Sequence, residues 1–174
     1  TPISNDRLLI DGSLSEWGHI RRHSAEHLVK GVIAEMDDFQ AGIRIAYNSE
    51  WLFIGLDCSD SDLKFGRNGD RALVSLLSKN KKRVDLAFTF IARKNSSAKV
   101  LLTVNRSRTK LGKIASKFIA GKGYTLEAKL PMSLFSWIYG SEVKLAAIFT
   151  DKDRDGANST FTTHLVNQKG FADD

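Results

Sequence analysis

The stretch IAYNSEWLFIGLDCSD, residues 45–60, decides the fold class because it holds two strand-like apolar runs joined by a short polar turn. Around the first run, residues 43–47, apolar residues alternate with small or polar ones, which is typical of a strand with one buried face. In the second run, residues 51–57, apolar side chains occupy both faces, as in a strand at the middle of a sheet that is covered on both sides. The three residues between the runs, 48–50, predict a hairpin.

Period-two patterning continues along the chain and predicts an antiparallel arrangement of further short strands. In residues 124–130 this alternation places Glu127 on the outward face, and Pro131, which cannot donate a backbone hydrogen bond, ends the run. Residues 132–139 predict a short helical turn, whereas residues 17–30 fit either a helix or an irregular crossing. We therefore predict one domain over residues 1–174, an all-β antiparallel β-sandwich with jelly-roll or immunoglobulin-like topology and little helix. The further predicted strands are residues 8–10, 72–77, 83–92, 99–105, 113–120, 124–130, 142–150 and 160–166.

The composition, 42% hydrophobic and 26% charged, is ordinary for a globular domain, and the single cysteine, Cys58, excludes a disulfide within the chain. The net charge of +6 is distributed unevenly. Residues 79–122 contain thirteen Lys or Arg and one acidic residue, Asp85, whereas the remainder contains thirteen basic and nineteen acidic residues. Because Thr1 is not a start methionine, we expect a mature or excised piece of a larger protein.

The basic segment indicates an anionic partner, either an acidic polysaccharide or an anionic membrane surface. Three of its predicted strands are consecutive, so we expect them to pair as neighbours and to gather their charges on one side. A nucleic-acid partner is disfavoured, because Phe88 and Phe90 follow the core-facing alternation instead of lying exposed among basic residues. The alternative is a solvated sheet face whose long basic side chains cover apolar surface. The gathered residues would be Lys81, Lys82, Lys99, Arg106, Arg108 and Lys117.

Four segments in order resemble the carbohydrate-binding module family 9-like domains, which belong to the DOMON-like superfamily of β-sandwiches. The resemblance covers nearly the whole chain. It implies a non-catalytic ligand-binding module of a bacterial protein, periplasmic or secreted, fused to the catalytic domain of a polysaccharide-active enzyme or to the signalling domain of a membrane sensor. The segments are IDGSLSEW (10–17), IAYNSEWLFIGLDCSD (45–60), GYTLEAKLPMSLF (123–135) and AAIFTDKDRDG (146–156).

In the resembling family, the best-known modules hold sugar between two tryptophans, one before an Asp-led strand and one after an Asp-x-Asp loop. This sequence has no tryptophan at either place, and Phe65 and Phe161 are the candidate substitutes. The missing tryptophans favour an alternative function, a protein-interaction or structural sandwich that has lost sugar binding. Trp17 and Trp51 are interpreted as core or edge anchors. The candidate ligand-binding residues are Phe65, Arg67, Asp70, Asn158, Phe161 and Trp137.

The loop DKDRDG, residues 151–156, places three carboxylates at alternate positions before a glycine. Carboxylate oxygens are the ligands that calcium prefers, and the resemblance places this loop near the sugar site. The loop is not an EF-hand, because Thr162 stands where the bidentate glutamate would be required. A polar hairpin loop is the alternative. The candidate ligands of a structural calcium ion are Asp151, Asp153 and Asp155, with Asp60 at the exit of the central strand.

Three histidines, His19, His23 and His27, stand four residues apart and would share one face of a helix, where they could hold a transition metal. Arg21 and Arg22 lie between them and would repel a cation. The sequence contains no nucleophile elbow and no phosphate-binding loop. Together with the generally non-catalytic character of the resembling family, this predicts that the protein is not an enzyme.

Overall fold

A computed structural model describes residues 1–3, 8–25, 27–30, 39–61, 63–66, 68–92, 98–119, 121–138, 143–152 and 158–162. Most regular structure in these residues is β-strand, as the period-two patterning predicts. The helical residues form two short 3-10 helices, Ser15–His19 and Met132–Ile138, and no described helix is long and apolar enough to cross a membrane. The strands are β1 (His23–Ser24), β2 (His27–Lys30), β3 (Phe39–Tyr47), β4 (Trp51–Asp60), β5 (Arg71–Ser78), β6 (Arg83–Ala92), β7 (Ala98–Val104), β8 (Ser107–Arg108), β9 (Lys113–Ile119), β10 (Gly123–Pro131), β11 (Val143–Lys152) and β12 (Asn158–Thr162).

The strands form two sheets that enclose the main core. One sheet has the order β1-β3-β4-β10-β9, and the other has the order β2-β12-β11-β5-β6-β7-β8. Every pairing between these strands is antiparallel. The predicted all-β antiparallel sandwich with little helix is therefore confirmed.

Strand β4 lies at the middle of the five-stranded sheet, as its two apolar faces predict. Ile54 and Leu56 on its inner face are fully buried in the main core, together with Phe88 of the opposite sheet. Phe53, on the other face, is fully buried in a second, smaller core. Because burying a large apolar side chain stabilises a fold by about 1.5–3 kcal/mol, both faces of β4 contribute to stability.

The second core forms because residues 8–20 cover the outer face of the five-stranded sheet. Leu8, Ile10 and Trp17 are buried there against Phe53. The predicted strand at residues 8–10 is wrong: these residues pair with no described strand, and their side chains pack onto the sheet face instead. Glu127 projects away from the main core, as predicted, but this covering layer buries it completely.

The helix required for a three-histidine metal site does not form. His19 ends the first 3-10 helix, His23 lies in β1 and His27 lies in β2. Because β1 and β2 belong to different sheets, the chain crosses the sandwich between them. The helical alternative is therefore wrong, and the irregular crossing is correct.

The three basic strands do not all pair as neighbours. Strands β6 and β7 pair, but β9 pairs with β10 in the opposite sheet. The cause is the segment after β8, which crosses from the edge of the seven-stranded sheet to the edge of the five-stranded one. Lys117 lies in β9 of the five-stranded sheet, with its ammonium 3.8 Å from Asp11. Lys81 and Lys82 lie in the β5–β6 turn of the other sheet, so the predicted gathering of these charges on one side is wrong for Lys117.

The sandwich has two ends that differ in the residues they carry. At the acidic end, β4 and β11 finish and β5 begins, bringing Asp60, Asp70 and Asp151 to one place. At the hairpin end lie the β3–β4, β5–β6 and β7–β8 turns.

Candidate functional site

Three buried carboxylates meet at the acidic end. Asp60 is the last residue of β4, Asp70 directly precedes β5, and Asp151 is the penultimate residue of β11. Their exposed fractions are 3%, 3% and 5%, and one oxygen atom from each lies within 4.8 Å of the others. Asp60 comes from the five-stranded sheet, whereas the other two belong to the seven-stranded sheet, so the cluster spans the sandwich.

The spacing of these oxygen atoms suits a shared cation. Calcium binds oxygen at about 2.3–2.6 Å, so oxygen ligands on opposite sides of one ion are about 5 Å apart. The three carboxylate oxygen atoms are no more than 4.8 Å from one another, so all three can contact the same ion. Three ionised carboxylates this close and this buried repel one another, and a divalent cation would neutralise most of that charge.

The surroundings of Asp70 raise the pKa of its carboxyl group. Burial, above all, raises its pKa to about 7, and the neighbouring charges of Asp60 and Asp151 act in the same direction. Two backbone amides oppose the rise: Lys64 N donates to Oδ2 at 2.5 Å, and Lys152 N donates to Oδ1 at 2.8 Å. Asp70 is therefore near its titration midpoint at neutral pH when no cation is bound.

Cys58 and Tyr124 lie beside the cluster on the inner face of the sheet. They are direct cross-strand partners in β4 and β10, and both are buried. Burial, followed by the charges of the nearby aspartates, raises the pKa of the Cys58 thiol well above its usual value. The thiol is therefore held in its protonated form and acts as a small apolar group, which excludes it as a nucleophile.

An aromatic row leads from the core to the surface at the same end. Tyr124 packs against Phe90 with ring centroids 4.3 Å apart, and Phe90 packs edge-on against Phe118 at 5.6 Å. Phe118 in turn supports Phe65 in an edge-to-face contact at 5.5 Å. The outermost ring, Phe65, is 37% exposed and lies in the loop just before β5.

Asp70 holds the loop that carries Phe65. It accepts a hydrogen bond from the Lys64 amide through its side chain, and its own amide donates to the Lys64 carbonyl at 2.9 Å. Gly66 N donates to the Phe90 carbonyl at 2.7 Å, which ties the loop to the end of β6. Gly69 is required because a Cβ atom there would collide with the Lys64 carbonyl. The position of Phe65 thus depends directly on a member of the carboxylate cluster.

The structure brings together only part of the predicted site. Phe65, Asp60, Asp70 and Asp151 lie at the acidic end, and Asp70, predicted as a sugar-binding residue, is a member of the carboxylate cluster. The backbones of Asn158 and Phe161 lie in β12, and that of Trp137 lies in the second 3-10 helix. The side chains of these three residues, and all of Arg67, Asp153 and Asp155, lie outside the described residues.

Sequence reasoning predicted Asp60 and Asp151 as calcium ligands but missed Asp70, which it assigned to sugar binding. That reasoning took three of its four calcium ligands from one stretch of chain, the 151–156 loop, and added Asp60. The available signal was topological: each of the three stands at a strand terminus, and antiparallel strands bring such termini to one end. Asp57 behaves differently, because Arg22 and Arg44 pair with it at 2.6 and 2.7 Å on the outer face.

No protein-family model matches the chain, and no curated protein matches it. Among solved structures, the chain is similar to a carbohydrate-binding module of family 9 from Caldicellulosiruptor kristjanssonii in complex with cellotriose. The TM-score is 0.62 and the sequence identity 12%, over 92% of this chain and 82% of that chain. The same module in complex with glucose gives a TM-score of 0.61 and 13% identity, over 93% and 84% of the two chains. At this identity, the likeness establishes the fold that the two chains share.

Proposed function

We propose that the protein is a non-catalytic carbohydrate-binding module with a sugar platform at Phe65, and that a calcium ion held by Asp60, Asp70 and Asp151 positions this platform. One observation carries the proposal: Asp70, a member of the buried cluster, accepts a hydrogen bond from the amide of Lys64, the residue next to the exposed Phe65 ring. An aromatic ring with an exposed face is the surface on which a pyranose ring stacks. The shared fold with a module solved with cellotriose and glucose supports this ligand class.

The cation and the platform are coupled through the loop. Cation binding ionises Asp70 fully, and a charged carboxylate accepts stronger hydrogen bonds from backbone amides than a protonated one. The Lys64 amide, and with it the Phe65 loop, is therefore held more firmly when calcium is present. Because ordering a loop costs entropy at the moment of binding, a loop ordered beforehand binds sugar more tightly.

We propose further that the module works outside the cytoplasm, in the periplasm or secreted, as part of a larger bacterial polysaccharide-active enzyme or membrane sensor. This location rests on the proposed calcium ion, because calcium is abundant outside the cell and fills sites there with dissociation constants of about 10⁻⁴–10⁻³ M. The partner is then a polysaccharide outside the cell, and an acidic one would be attracted by the basic residues 79–122.

The test is calorimetric titration of cellotriose and glucose into the full chain, with calcium and after chelation. We expect Phe65→Ala to abolish binding, and Phe118→Ala to weaken it by removing the support of the ring. Tyr47→Ala is the matched control, because Tyr47 is also an exposed aromatic residue (44%) but lies at the hairpin end. Chelation should weaken binding in the wild type. Unchanged sugar affinity in Phe65→Ala would refute the platform, and no sugar binding by the wild type would favour a protein-interaction domain.

A further inference from the structure

Two adjacent hairpins at the hairpin end carry basic residues in backbone positions that favour glycine. In the β5–β6 turn, Ser78 O accepts a hydrogen bond from Lys81 N at 3.0 Å, and Lys81 then adopts a left-handed conformation with φ 60°. This is the three-residue hairpin loop whose left-handed position is usually glycine. Lys81 occupies that position.

The β7–β8 turn repeats the arrangement. Its two central residues, Asn105 and Arg106, have φ values of 48° and 68° between the paired residues Val104 and Ser107. A two-residue turn with both values positive favours Asn-Gly, and Asn105 matches the first position. Arg106 stands where glycine is preferred. Left-handed backbone at a non-glycine residue is strained, and such strain collects at functional positions.

The two turns lie close together on one edge of the sandwich. Strands β5, β6, β7 and β8 are consecutive neighbours in the sheet, so about two strand spacings, roughly 10 Å, separate the two turns. Asn105 fixes the second turn against β6: its amide donates to the Asp85 carbonyl at 2.9 Å, and its side-chain oxygen accepts from the Asp85 amide at 2.9 Å. We call the residues of these turns and the start of β6, 78–85 and 104–108, the basic tips.

The basic tips carry a strong and nearly uncompensated positive charge. Five of their six basic residues are exposed, and Arg83 is half-buried. Asp85 is the only acidic residue in these two described segments, and it is already engaged by Arg83 at 2.8 Å and by Ser75 Oγ at 2.5 Å. The six are Lys79, Lys81, Lys82, Arg83, Arg106 and Arg108.

We infer that the basic tips are a second ligand surface, separate from the Phe65 platform, that binds a linear polysaccharide bearing carboxylate or sulfate groups. Charges on two turns about 10 Å apart suit a polymer that presents repeated anionic groups along its length. Arginine adds directional recognition, because its guanidinium binds carboxylate or sulfate through two parallel hydrogen bonds. The inference takes the ligand class, a polysaccharide, from the proposed function but assigns it to the opposite end of the sandwich.

Two other polyanions fit the tips less well. Single-stranded nucleic acid needs exposed aromatic rings for base stacking, and residues 78–85 and 104–108 contain no aromatic residue. A membrane surface favours apolar side chains that insert among the lipids. None of the exposed residues of the basic tips is apolar, and the nearby exposed apolar residue, Leu111, lies outside them on the crossing to β9.

The experiment compares polymers that differ only in charge: polygalacturonate with its methyl ester, and dextran sulfate with dextran. The tip variant is Lys81→Gln/Lys82→Gln/Arg106→Gln, and the control, with the same loss of charge, is Lys99→Gln/Lys117→Gln/Lys122→Gln, all exposed residues outside the tips. We expect the wild type to bind the charged polymers more tightly than their neutral counterparts, and this difference to shrink as salt shortens the Debye length to about 8 Å. The tip variant should lose about tenfold in affinity, and the control less than twofold.

Further measurements separate the outcomes. Phe65→Ala should keep polygalacturonate binding even though it loses neutral sugar, so the platform and the basic tips can fail independently. Tighter binding to phosphatidylglycerol vesicles than to either charged polysaccharide, lost in Leu111→Ser, would overturn the inference in favour of a membrane partner. Preference for duplex DNA would overturn it in favour of nucleic acid. Equal losses in the tip and control variants would show attraction by net charge alone.

Discussion

At the scale of single residues, Glu127 joins the covering layer to the sheet. Its carboxylate is fully buried and accepts three hydrogen bonds, from the amides of Asp11 and Gly12 at 2.8 and 2.6 Å and from the Trp17 indole at 2.7 Å. Gly12 is needed there because its φ is 89° and a Cβ atom would meet the Ser116 backbone at 2.8 Å. The IDGSLSEW segment and the central GYTLEAKLP strand therefore form one hydrogen-bonded unit.

We expect Glu127→Ala to lower the free energy of unfolding by roughly 3 kcal/mol or more, because two buried donors and one partly buried donor lose their acceptor. Trp17→Phe, which removes only the indole donor and part of the ring, should cost less. Urea unfolding monitored by circular dichroism measures both. Glu50→Ala is the control, since Glu50 is exposed. A loss below about 1 kcal/mol in Glu127→Ala would contradict the bridging role.

Asp70 predicts an unusual pH dependence of stability. Its pKa is about 7 in the folded protein and 3.8 as a free side chain, so between these values the folded state holds a proton that the unfolded state has lost. Without a cation, its contribution to stability is therefore complete below about pH 4 and is lost as pH rises through about 7.

The melting temperature of cation-free wild type should accordingly fall, relative to Asp70→Asn, between pH 5 and pH 8. The difference between the two proteins isolates Asp70 from the other titrating groups of the chain. Adding calcium should reduce the fall, because the cation replaces the proton. A difference that stays constant with pH would show that Asp70 titrates normally.

At the scale of elements, the strands were largely predictable and the strand neighbours were not. Strand β4 was recognisable because its two apolar faces allow no other environment than the middle of a covered sheet. Strand β9 was misassigned because alternation shows which face of a strand is buried but not which strand lies beside it. The covering layer was also missed: Glu127 has the pattern of a solvent-facing residue, and only the contacts with residues 11–17 show why it is buried.

The basic tips make an element-scale prediction about stability. Lys81→Gly and Arg106→Gly place the residue that the left-handed backbone favours at φ 60° and φ 68°. Relief of strain of about 1 kcal/mol or more at each position, together with weaker repulsion among the basic residues, should raise the melting temperature. The same variants should bind charged polysaccharide less tightly. Thermal melts and affinity measured on one protein preparation test both effects. Gly121→Ala is the reverse control: it adds a side chain at another left-handed position where there is open space, so it should lower the melting temperature through backbone strain alone.

At the scale of the whole molecule, the two ends of the sandwich carry different chemistry. The acidic end combines a carboxylate cluster with an exposed ring, and the hairpin end presents the basic tips. Three of the four predicted calcium ligands were in one loop, with Asp60 as the fourth, whereas the cluster takes one carboxylate from the five-stranded sheet and two from the other. Sequence spacing could not show this, because the three aspartates are separated by 10 and 81 residues and are close only through the packing of the sheets.

Because the cluster spans both sheets, calcium should stabilise the sandwich as a unit. A cation that binds only the folded state adds about 2.7 kcal/mol at a concentration one hundred times its dissociation constant, and the melting temperature of chelated protein should rise with added calcium accordingly. Asp60→Asn and Asp151→Asn remove a ligand from opposite sheets, and each should abolish this rise. Asp57→Asn is the matched control: it lies on the same strand as Asp60 but pairs with Arg22 and Arg44, so its loss should lower stability while the calcium response remains. If Asp60→Asn keeps the full response while Asp151→Asn loses it, the ion is held by one sheet alone and does not tie the two together.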